Sequence, residues 1–459
     1  MLCIEKKMST LNNNDLHYDA VIVGLGKTGL SCFRYLFNQG LNLAITDSRE
    51  SPPELEKLNA EFNDVTTYLG EISKKVLLAS DQIIVSPGIS LNNEGIQSAI
   101  EENIPVIGDI ELFSQKALAP IIAISGSNGK STVTTIVKEM ARQAGLNTYM
   151  GGNIGTPVLD LLNDKKPDLY VLELSSFQLE TTFSLNAHAS VVLNISPDHM
   201  DRYSCIKDYA KAKSRIYSGH GLMVLNKDDQ YSKSMIDLDR KINYFTLDKP
   251  DKNSFGLLKS NNKVWLCHGN KKIISKDQLK IKGDHNISNA LAAMALANSV
   301  DVPYKIMTNV LKNFSGLEHR CQLIKSFNNI DWYNDSKATN VGACIASIKG
   351  LCEFGKIILI AGGDSKGSDL SSLNEIIEKY VKKVFLFGID ADKLSSVLSS
   401  KVDKEFVRSV DEAVHFANKV ALPGDLVLLA PACSSLDMYQ NFKQRGDAFI
   451  SSVNALQKN

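Results

Sequence analysis

Short apolar runs that end abruptly in glycine and polar residues recur along this chain, and helix-compatible segments separate them. The run at 18–23 leads into a GLGKTG loop (24–29), and the run at 120–124 leads into a second glycine loop. Further apolar runs lie at 82–85, 169–174, 189–195, 330–333, 356–361, 383–387 and 426–430. Strands that alternate with helices form mostly parallel sheets, which bind ligands where the strands end. The pattern therefore predicts an α/β protein with its chemistry at strand ends.

Three such α/β units follow one another along the chain. A length of 459 residues exceeds what one hydrophobic core supports, so several domains are expected. We place the domain limits at 1–108, 109–316 and 317–459. The sequence contains no internal repeat or low-complexity linker, so we predict contiguous domains joined by short hinges.

Composition and charge argue against several classes of function. Lys plus Arg and Asp plus Glu both total 51, so no net charge favours nucleic acid or an acidic membrane as a partner. No apolar run reaches the length of a membrane span, and the N-terminal residues lack the apolar core of a secretory signal. The eight cysteines are scattered without a C-x-x-C pair, which is typical of reduced thiols. We expect a cytoplasmic enzyme that binds neither nucleic acid nor membrane.

The clearest motif is the GSNGKST loop (126–132), which lies between a predicted strand and a predicted helix that runs to Ala144. Glycines let backbone N–H groups approach phosphate, and the N-terminus of a helix adds partial positive charge. Lys130 would reach the β- and γ-phosphates of ATP, and the Ser131 hydroxyl would bind Mg²⁺. The loop is shorter than the usual P-loop, because Ile124 stands where that pattern has its first glycine. We favour an ATP site over a solvated turn.

The GLGKTG loop (24–29) by itself predicts a dinucleotide site, with Asp47 as the acidic residue after the second strand. A glycine turn at a helix N-terminus recognises diphosphate in general. NAD, FAD and a nucleotide-sugar are therefore all compatible with it, as is a tight turn without a ligand.

Other polar positions carry weaker signals. Glu173 lies in an apolar strand, where a carboxylate is costly unless it is paired or binds metal, so we favour a Mg²⁺ ligand over a structural salt bridge. His199 lies just past a strand end, where a structural role is the more common one. Asn286 and Asn289 lie one helical turn apart, so they either cap the helix or bind a ligand. Residues 207–217 have the pattern of a basic helix with its lysines on a solvated face.

Taken together, the motifs resemble those of the Mur ligase family of bacterial cell-wall enzymes over nearly the whole chain. The resemblance rests on SPGI (86–89), GSNGKST (126–132), GGNIG (151–155), LELSSFQLE (172–180), DHMDRY (198–203), HN-x-x-N (285–289), NDSKATN (334–340), GGD-x-K (362–366) and PACSSLD (431–437). The shortened phosphate loop is the form that this family has. NDSKATN and PACSSLD indicate the members that add D-glutamate.

The resemblance implies three domains: a Rossmann-like domain that binds a UDP-sugar, a central P-loop ATPase-like domain and a C-terminal Rossmann-like domain. It implies an ATP-dependent amide ligase that adds D-glutamate to UDP-N-acetylmuramoyl-L-alanine through an acyl phosphate, in the synthesis of peptidoglycan precursors. A monomer is expected.

The resemblance also implies site residues. The catalytic set is Lys130, Asn153, His199 and Lys213. The ATP-binding set is Gly126, Ser127, Asn128, Gly129, Lys130, Ser131, Thr132, Asn286, Asn289, Arg320 and Asp335. The set that binds the UDP-substrate is Gly26, Lys27, Thr28, Asp47, Ser48, Gly88, Asn153, Ser175 and Gln178. The D-glutamate set is Lys337, Thr339, Lys366, Ser435, Leu436 and Phe442.

Two Mg²⁺ ions are expected, with Ser131, Glu173, His199 and Lys213 as ligands. The resemblance places a carbamylated lysine at the second metal, and the matching position is Lys213. Carbamylation by CO₂ turns a cation into an anionic carboxylate, and it requires a lysine that is transiently neutral. This implication conflicts with the solvated face that the local pattern predicts for Lys213.

Three other functions fit parts of the sequence. A related amide ligase such as a folylpolyglutamate synthetase would share the phosphate loop, but the NDSKATN and PACSSLD motifs argue against it. An NAD-dependent oxidoreductase would use the GLGKTG loop and would leave the phosphate loop without a role. A nucleotide switch would hydrolyse ATP without ligation.

Overall fold

The computed structural model of the protein describes residues 16–162, 166–281 and 283–456. The described chain forms two compact units. The first unit comprises residues up to 119 together with 151–166 and 175–185. The second unit comprises residues 120–150, 167–174 and those from 186 onward.

The first unit contains a five-stranded sheet in the order β3-β2-β1-β4-β5. Its strands are β1 (Ala20–Val23), β2 (Leu43–Asp47), β3 (Thr66–Leu69), β4 (Ile83–Val85) and β5 (Val106–Ile107). Its helices are α1 (Lys27–Phe37), α2 (Leu55–Glu61), α3 (Lys74–Leu78), α4 (Glu94–Glu101) and α5 (Asp109–Ser114). All neighbouring strands pair in parallel, and β1, β2 and β4 are buried along their whole length. Burial of both faces explains why these strands are continuous apolar runs instead of alternating ones.

A nine-stranded sheet contains the strand that leads into the phosphate loop motif, and its order is β14-β13-β12-β11-β10-β9-β6-β8-β7. The strands are β6 (Ile121–Ser125), β7 (Thr148–Gly152), β8 (Leu169–Glu173), β9 (Ala189–Val192), β10 (Leu222–Asn226), β11 (Ile242–Phe245), β12 (Ser254–Ser260), β13 (Lys263–His268) and β14 (Lys271–Ser275). The helices of the second unit here are α6 (Lys130–Gln143), α8 (Ile206–Ser214), α9 (Gln230–Ser234), α10 (Asp284–Asn298) and α11 (Tyr304–Asn313). Helix α7 (Ser176–Glu180), which follows β8 along the chain, belongs to the first unit. The strands from β9 to β12 pair in parallel, and β12 to β14 form an antiparallel meander.

A six-stranded sheet completes the second unit, in the order β15-β16-β20-β17-β18-β19. Its strands are β15 (Gln322–Phe327), β16 (Ile330–Asn334), β17 (Ile357–Gly362), β18 (Val381–Phe387), β19 (Lys404–Phe406) and β20 (Leu426–Leu429). Its helices are α12 (Val341–Leu351), α13 (Leu373–Tyr380), α14 (Ala391–Val397), α15 (Val410–Val420) and α16 (Phe442–Ala455). Apart from the β15–β16 hairpin the strands are parallel, and a hydrophobic core covers each face.

The α/β class predicted from the sequence is confirmed, whereas the exact domain limits stay a prediction. Helix capping by Asn286 is wrong, because α10 begins at Asp284 and its N-cap is Gly283. The basic helix is shorter than predicted, since α8 ends at Ser214 and a short 3₁₀ turn follows it. Among the helices described, none combines the length and the apolar character needed to cross a membrane.

Candidate active site

In the first unit, β1 lies between β2 and β4, and the loops that follow these three strands meet. The Ser86 hydroxyl donates a hydrogen bond to the Gly24 carbonyl at 2.8 Å, and the Leu25 N–H donates to the Asp47 carboxylate at 2.7 Å. Gly29 allows this packing, because a Cβ atom there would lie 1.9 Å from the Gly24 carbonyl oxygen. The loop between β1 and α1 is thus held in one shape at the point where strand order reverses, as expected of a diphosphate cradle.

The Asp47 side chain holds this loop from within. It is fully buried and also accepts hydrogen bonds from the Arg49 backbone at 2.9 Å and from the Arg49 guanidinium at 2.8 and 2.6 Å. Burial works to raise the pKa of Asp47, but the bonds from Arg49 and Leu25 outweigh it and lower the pKa. Asp47 therefore stays charged and fixes the loop, and its neighbour Ser48 is exposed.

Gln178 is engaged at both ends of its side-chain amide. Its carbonyl oxygen accepts a hydrogen bond from the Ser175 N–H at 3.1 Å in a capping box that starts α7, and its NH₂ donates to Asp109 at 3.2 Å. Burial raises the pKa of Asp109 to about 6. This arrangement fixes the turn that carries Ser175, which is itself half-buried.

In the second unit, the phosphate loop connects β6 to α6, and Lys130 folds over it. The Lys130 ammonium donates hydrogen bonds to the carbonyls of Gly126 at 2.8 Å and Ser127 at 3.0 Å. Burial lowers the pKa of Lys130, while the negative charges of Glu173 and Asp198 oppose that shift. The charge of Lys130 is thus held above the loop, where a bound phosphate would replace the carbonyl contacts.

Two other elements contact this loop. Asn289 on α10 packs against Gly129, since a Cβ on that glycine would lie 2.2 Å from the Asn289 side-chain oxygen. The Arg320 guanidinium donates to the Ser131 hydroxyl at 2.6 Å. The cradle is therefore closed by side chains from α10 and from the segment that precedes β15.

Lys213 corrects the sequence prediction of a solvated face, because only 1% of it is exposed. Its ammonium donates to the Ser125 hydroxyl at 3.3 Å and lies 4.7 Å from the centre of the Tyr209 ring. Burial, with a smaller contribution from the charge of Lys130, holds the pKa of Lys213 well below its usual range. Lys211 on the same helix is exposed. The two lysines diverge because residues two apart point to opposite sides of a helix.

Glu173 ends β8 beside β6 and is 2% exposed. Burial lowers the pKa values of four nearby cations, and the negative charge of Glu173 opposes that shift in each; the four are Lys130, Lys213, Arg320 and Lys337. His199 lies nearby with a left-handed φ of 57°, and burial lowers its pKa to about 4. The imidazole is therefore neutral at pH 7, which is the form that binds a metal.

Arg445 clamps the polar loops of the third sheet together. It is fully buried on α16 and donates hydrogen bonds to the carbonyls of Ser336 at 2.8 Å, Cys433 at 3.2 Å and Ser434 at 3.1 Å. Ser434 in turn pairs through its backbone with Asp364, at 2.7 and 3.1 Å. NDSKATN, PACSSLD and GGD-x-K therefore form one polar surface at the ends of β16, β20 and β17.

Lys337 lies on this surface, with its ammonium 4.3 Å from the centre of the Phe442 ring. Burial lowers the pKa of Lys337 to about 7, and the positive charges of Arg320, Lys130 and Lys366 add to the shift. Several basic side chains thus lie close together here, which suits an anionic ligand.

Three sequence-family models match consecutive parts of the chain. Residues 18–108 match the N-terminal domain of MurD-like Mur ligases, 124–297 match the Mur ligase middle domain, and 319–433 match the glutamate ligase domain of Mur ligases. The chain is 49% identical over 434 residues to a UDP-N-acetylmuramoylalanine–D-glutamate ligase of Nitrosococcus oceani, an alignment that covers 95% of this chain and 96% of the relative.

The chain belongs to the Mur ligase family.

A second relative carries the same enzyme name. The ligase of Pseudomonas syringae pv. tomato is 46% identical over 438 residues, which is 95% of this chain and 98% of that one. Among solved structures, the MurF ligase from Thermotoga maritima in complex with ADP superposes with a TM-score of 0.61 at 16% identity and covers 97% of both chains. That structural likeness supports the three-domain Mur ligase fold.

The residues implied by the resemblance to Mur ligases divide between the two units. All those assigned to the UDP-substrate lie in the first unit. Gly26, Thr28 and Ser175 are half-buried, Lys27, Ser48, Gly88 and Asn153 are exposed, and Asp47 and Gln178 are buried. All those assigned to ATP, metal and D-glutamate, Thr132 and Thr339 included, lie in the second unit. Their individual roles stay predictions.

Within the second unit some predicted contacts are close and others are not. Arg320, Asn289 and Lys130 contact the phosphate loop directly, and Asn286 lies one turn before Asn289 on α10. Asp335 is buried and accepts a hydrogen bond from Ser347, and burial raises its pKa to about 6. Ser435 is buried, whereas the Leu436 side chain is 68% exposed.

Sequence reasoning missed three buried residues that build the site: Asp198, Asn340 and Arg445. Asp198 pairs with Lys366 at 3.5 Å, and Asn340 contacts Asp198 at 3.1 Å. Asp198 and Asn340 stand inside the quoted motifs DHMDRY and NDSKATN, so the motifs located them without assigning a role. Arg445 leaves a weaker signal, which is an arginine among the inward positions of a C-terminal helix.

We expect Gly129→Ala to weaken ATP binding, because the new Cβ would displace Asn289 and would occupy a backbone with φ of +87°. Gly145, at the other end of α6, is the matched control: its φ is +93°, and nothing lies within 4 Å of an added Cβ. Both changes should cost about 1 kcal/mol of stability for the backbone conformation alone. Calorimetric titration with ATP should show weaker binding only for Gly129→Ala. Equal affinity in both variants would contradict the contact.

Proposed function

We propose that this protein joins D-glutamate to the alanyl carboxylate of UDP-N-acetylmuramoyl-L-alanine, with conversion of ATP to ADP and phosphate. It acts in the synthesis of peptidoglycan precursors. The names of the relatives and their coverage of the whole chain support this assignment. The geometric observation that carries it is the contact between the phosphate loop of the middle domain and Arg320 of the glutamate ligase domain.

The chemistry begins with activation of a carboxylate. A carboxylate does not react with an amine at neutral pH, because its leaving group is too poor. Transfer of the γ-phosphoryl group of ATP gives an acyl phosphate, and such a transfer depends mainly on positioning and charge neutralisation. Lys130 and Arg320 would neutralise the phosphate charge, and the backbone N–H groups of the loop would orient it.

Mg²⁺ fits the donors that are present. The Ser131 hydroxyl and the buried Glu173 carboxylate are hard oxygen donors, and Mg²⁺ is usually held by one or two carboxylates together with substrate phosphates. When bound, it would neutralise charge on the transferring phosphoryl group. Neutral His199 and an anionic Lys213 carbamate would complete a second position.

Carbamylation of Lys213 is part of the proposal. A buried lysine with a strongly lowered pKa supplies the neutral amine that attacks CO₂, which forms the N–C bond and releases one proton. The product carries a negative charge near Lys130, so the ammonium of Lys130 would stabilise it. This stabilisation supports the resemblance-based assignment of Lys213.

The amino acid enters next. Its amine attacks the acyl phosphate, and the tetrahedral intermediate expels phosphate and leaves an amide. The two carboxylates of D-glutamate suit the cationic groups of the third sheet, Lys337 and Lys366, with Thr339 and Ser435 as hydrogen-bond donors. Water must be kept away from the acyl phosphate. Close contact between the middle domain and the glutamate ligase domain would exclude it.

The UDP-substrate is assigned to the first unit. The cradle between β1 and α1 suits its diphosphate, and exposed Lys27 at the start of α1 would add positive charge. The NAD-dependent alternative accounts for this loop alone. We further propose that the enzyme is cytoplasmic and monomeric, and that it binds neither nucleic acid nor membrane.

We expect D-glutamate binding to take up a proton above about pH 7, because Lys337 is largely neutral there and a bound carboxylate would raise its pKa. Below that pH the lysine is already charged, so the uptake should disappear. Calorimetric titrations in two buffers of different ionisation enthalpy measure the uptake, at about pH 8.5 and about pH 6. The same uptake at both pH values would contradict the role of Lys337.

The proposed function is tested by phosphate release with ATP, Mg²⁺ and UDP-N-acetylmuramoyl-L-alanine, with D-glutamate, L-glutamate, glycine or no amino acid. Release that requires both the UDP-substrate and D-glutamate is the expected result. Release without any amino acid would favour a nucleotide switch. Equal release with L-glutamate would overturn the assignment of the third-sheet motifs.

A further inference from the structure

Polar side chains link the middle domain to the glutamate ligase domain within the second unit. Besides the Arg320–Ser131 contact, these links involve Asn340 and Lys366. Its side chain pairs with that of Asn128 through two hydrogen bonds of 3.2 and 3.3 Å and donates to the Asp198 carboxylate at 3.1 Å. Lys366 approaches the same carboxylate at 3.5 Å.

Asn340 uses every hydrogen-bonding position of its amide. Its oxygen accepts from the Ala343 N–H at 2.9 Å, which caps α12, and also from Asn128. Its nitrogen donates to Asn128 and to Asp198. One end therefore faces an N–H and the other a carboxylate, so the orientation of the amide is fixed by its partners. Asn340 is 5% exposed, and loss of a buried partner is costly.

Asn128 is the third residue of the GSNGKST loop, and its backbone is anchored separately from its side chain. Its N–H donates to the Asn194 side chain at 2.9 Å, and its carbonyl accepts from the same amide at 3.1 Å. The side chain alone reaches the other domain. Gly342 leaves room for this approach, since a Cβ there would lie 2.9 Å from the Ser196 hydroxyl.

We propose that Asn340 is a positioning residue that couples the phosphate loop to closure of the glutamate ligase domain. The pairing with Asn128 makes the position of Asn340 depend on the conformation of the phosphate loop. The bond to Asp198 holds the glutamate ligase domain against the middle domain, beside His199. This inference rests on the proposed function, and it adds a residue that keeps ATP cleavage coupled to amide formation. With the pairing lost, the domains close less often, and water competes with D-glutamate for the acyl phosphate.

The test uses Asn340→Ser in the full-length enzyme. Serine caps a helix about as well as asparagine, so α12 should be kept while both amide donors are lost. Asn93→Ser is the matched control, because Asn93 also caps a helix, through bonds to Gly95 and Ile96, and lies in the first unit. Thermal unfolding checks that each variant folds.

The readout is the ratio of phosphate released to amide formed. We expect equal amounts for the wild type and Asn93→Ser, and an excess of phosphate for Asn340→Ser. The apparent KM for D-glutamate should rise about tenfold, as expected for the loss of one to two net hydrogen bonds. Asn128→Ala breaks the same pair from the loop side and should also release excess phosphate.

A double-mutant cycle separates coupling from independent effects. The double variant Asn128→Ala/Asn340→Ser should be impaired no more than the more strongly impaired of the two single variants, because the same pair is lost in each. The inference would be overturned if the effects of the two substitutions simply multiplied in the double variant. It would also be overturned if Asn340→Ser gave the same ratio of phosphate released to amide formed as the wild type. Absence of amide formation in the wild type would instead contradict the proposed function.

Discussion

Replacing Lys213 with alanine is expected to lower kcat by about a thousandfold, the scale of losing a principal electrostatic group of an active site. Lys213 is buried beside the phosphate loop, and burial holds its pKa well below the usual range. The proposal makes it an anionic metal ligand once CO₂ has been added. The measurement is steady-state phosphate release at saturating substrates. Lys211→Ala is the matched control on the same helix, because Lys211 is exposed, and it should retain nearly full activity.

The carbamate itself can be observed. Enzyme prepared in ¹³C-bicarbonate should give a carbamate carbon resonance that Lys213→Ala lacks and Lys211→Ala keeps. Removal of CO₂ from the buffers should lower activity, and bicarbonate should restore it. Full activity in CO₂-free buffer together with no carbamate resonance would contradict the modification, even if Lys213→Ala were inactive.

Lys130→Ala is expected to lower kcat by about a thousandfold as well, because the ammonium that neutralises the β- and γ-phosphates is lost. The present contacts of Lys130 with the Gly126 and Ser127 carbonyls place that charge above the loop. Lys138→Ala, further along α6, is the control and should change activity by less than about threefold.

Binding and chemistry can be separated for Lys130. Calorimetric titration should show that the variant still binds the UDP-substrate, which is assigned to the first unit. Retention of more than about a tenth of wild-type kcat would argue that the phosphate charge is neutralised elsewhere.

Much of the fold follows from local sequence patterns, because buried parallel strands are continuous apolar runs and their glycine-rich ends are easy to locate. Strands without a continuous apolar run were not predicted. The pattern of β3, reading TTYL, is partly exposed at the edge of its sheet, so it lacks the apolar run that marks β1. Helix starts were also misplaced where glycine caps the helix, as Gly283 does for α10.

The candidate site was predictable wherever one motif carries its own chemistry, as in the phosphate loop. It was not predictable where partners are distant in sequence. Asn128 and Asn340 are 212 positions apart, and neither signals the other locally. The predicted exposure of Lys213 was wrong for a related reason, because the charge pattern of a helix does not reveal which face another element covers. Only the family resemblance separated Lys213 from Lys211.

The central claim is that ATP activates a substrate carboxylate as an acyl phosphate. The most direct test supplies UDP-N-acetylmuramoyl-L-alanine labelled with ¹⁸O in both alanyl carboxylate oxygens, together with ATP, Mg²⁺ and D-glutamate. If the carboxylate is phosphorylated, one labelled oxygen leaves with the phosphate and the other stays in the amide. The account predicts inorganic phosphate that carries a single ¹⁸O atom, whereas unlabelled phosphate would mean that ATP is hydrolysed by water and that no acyl phosphate forms.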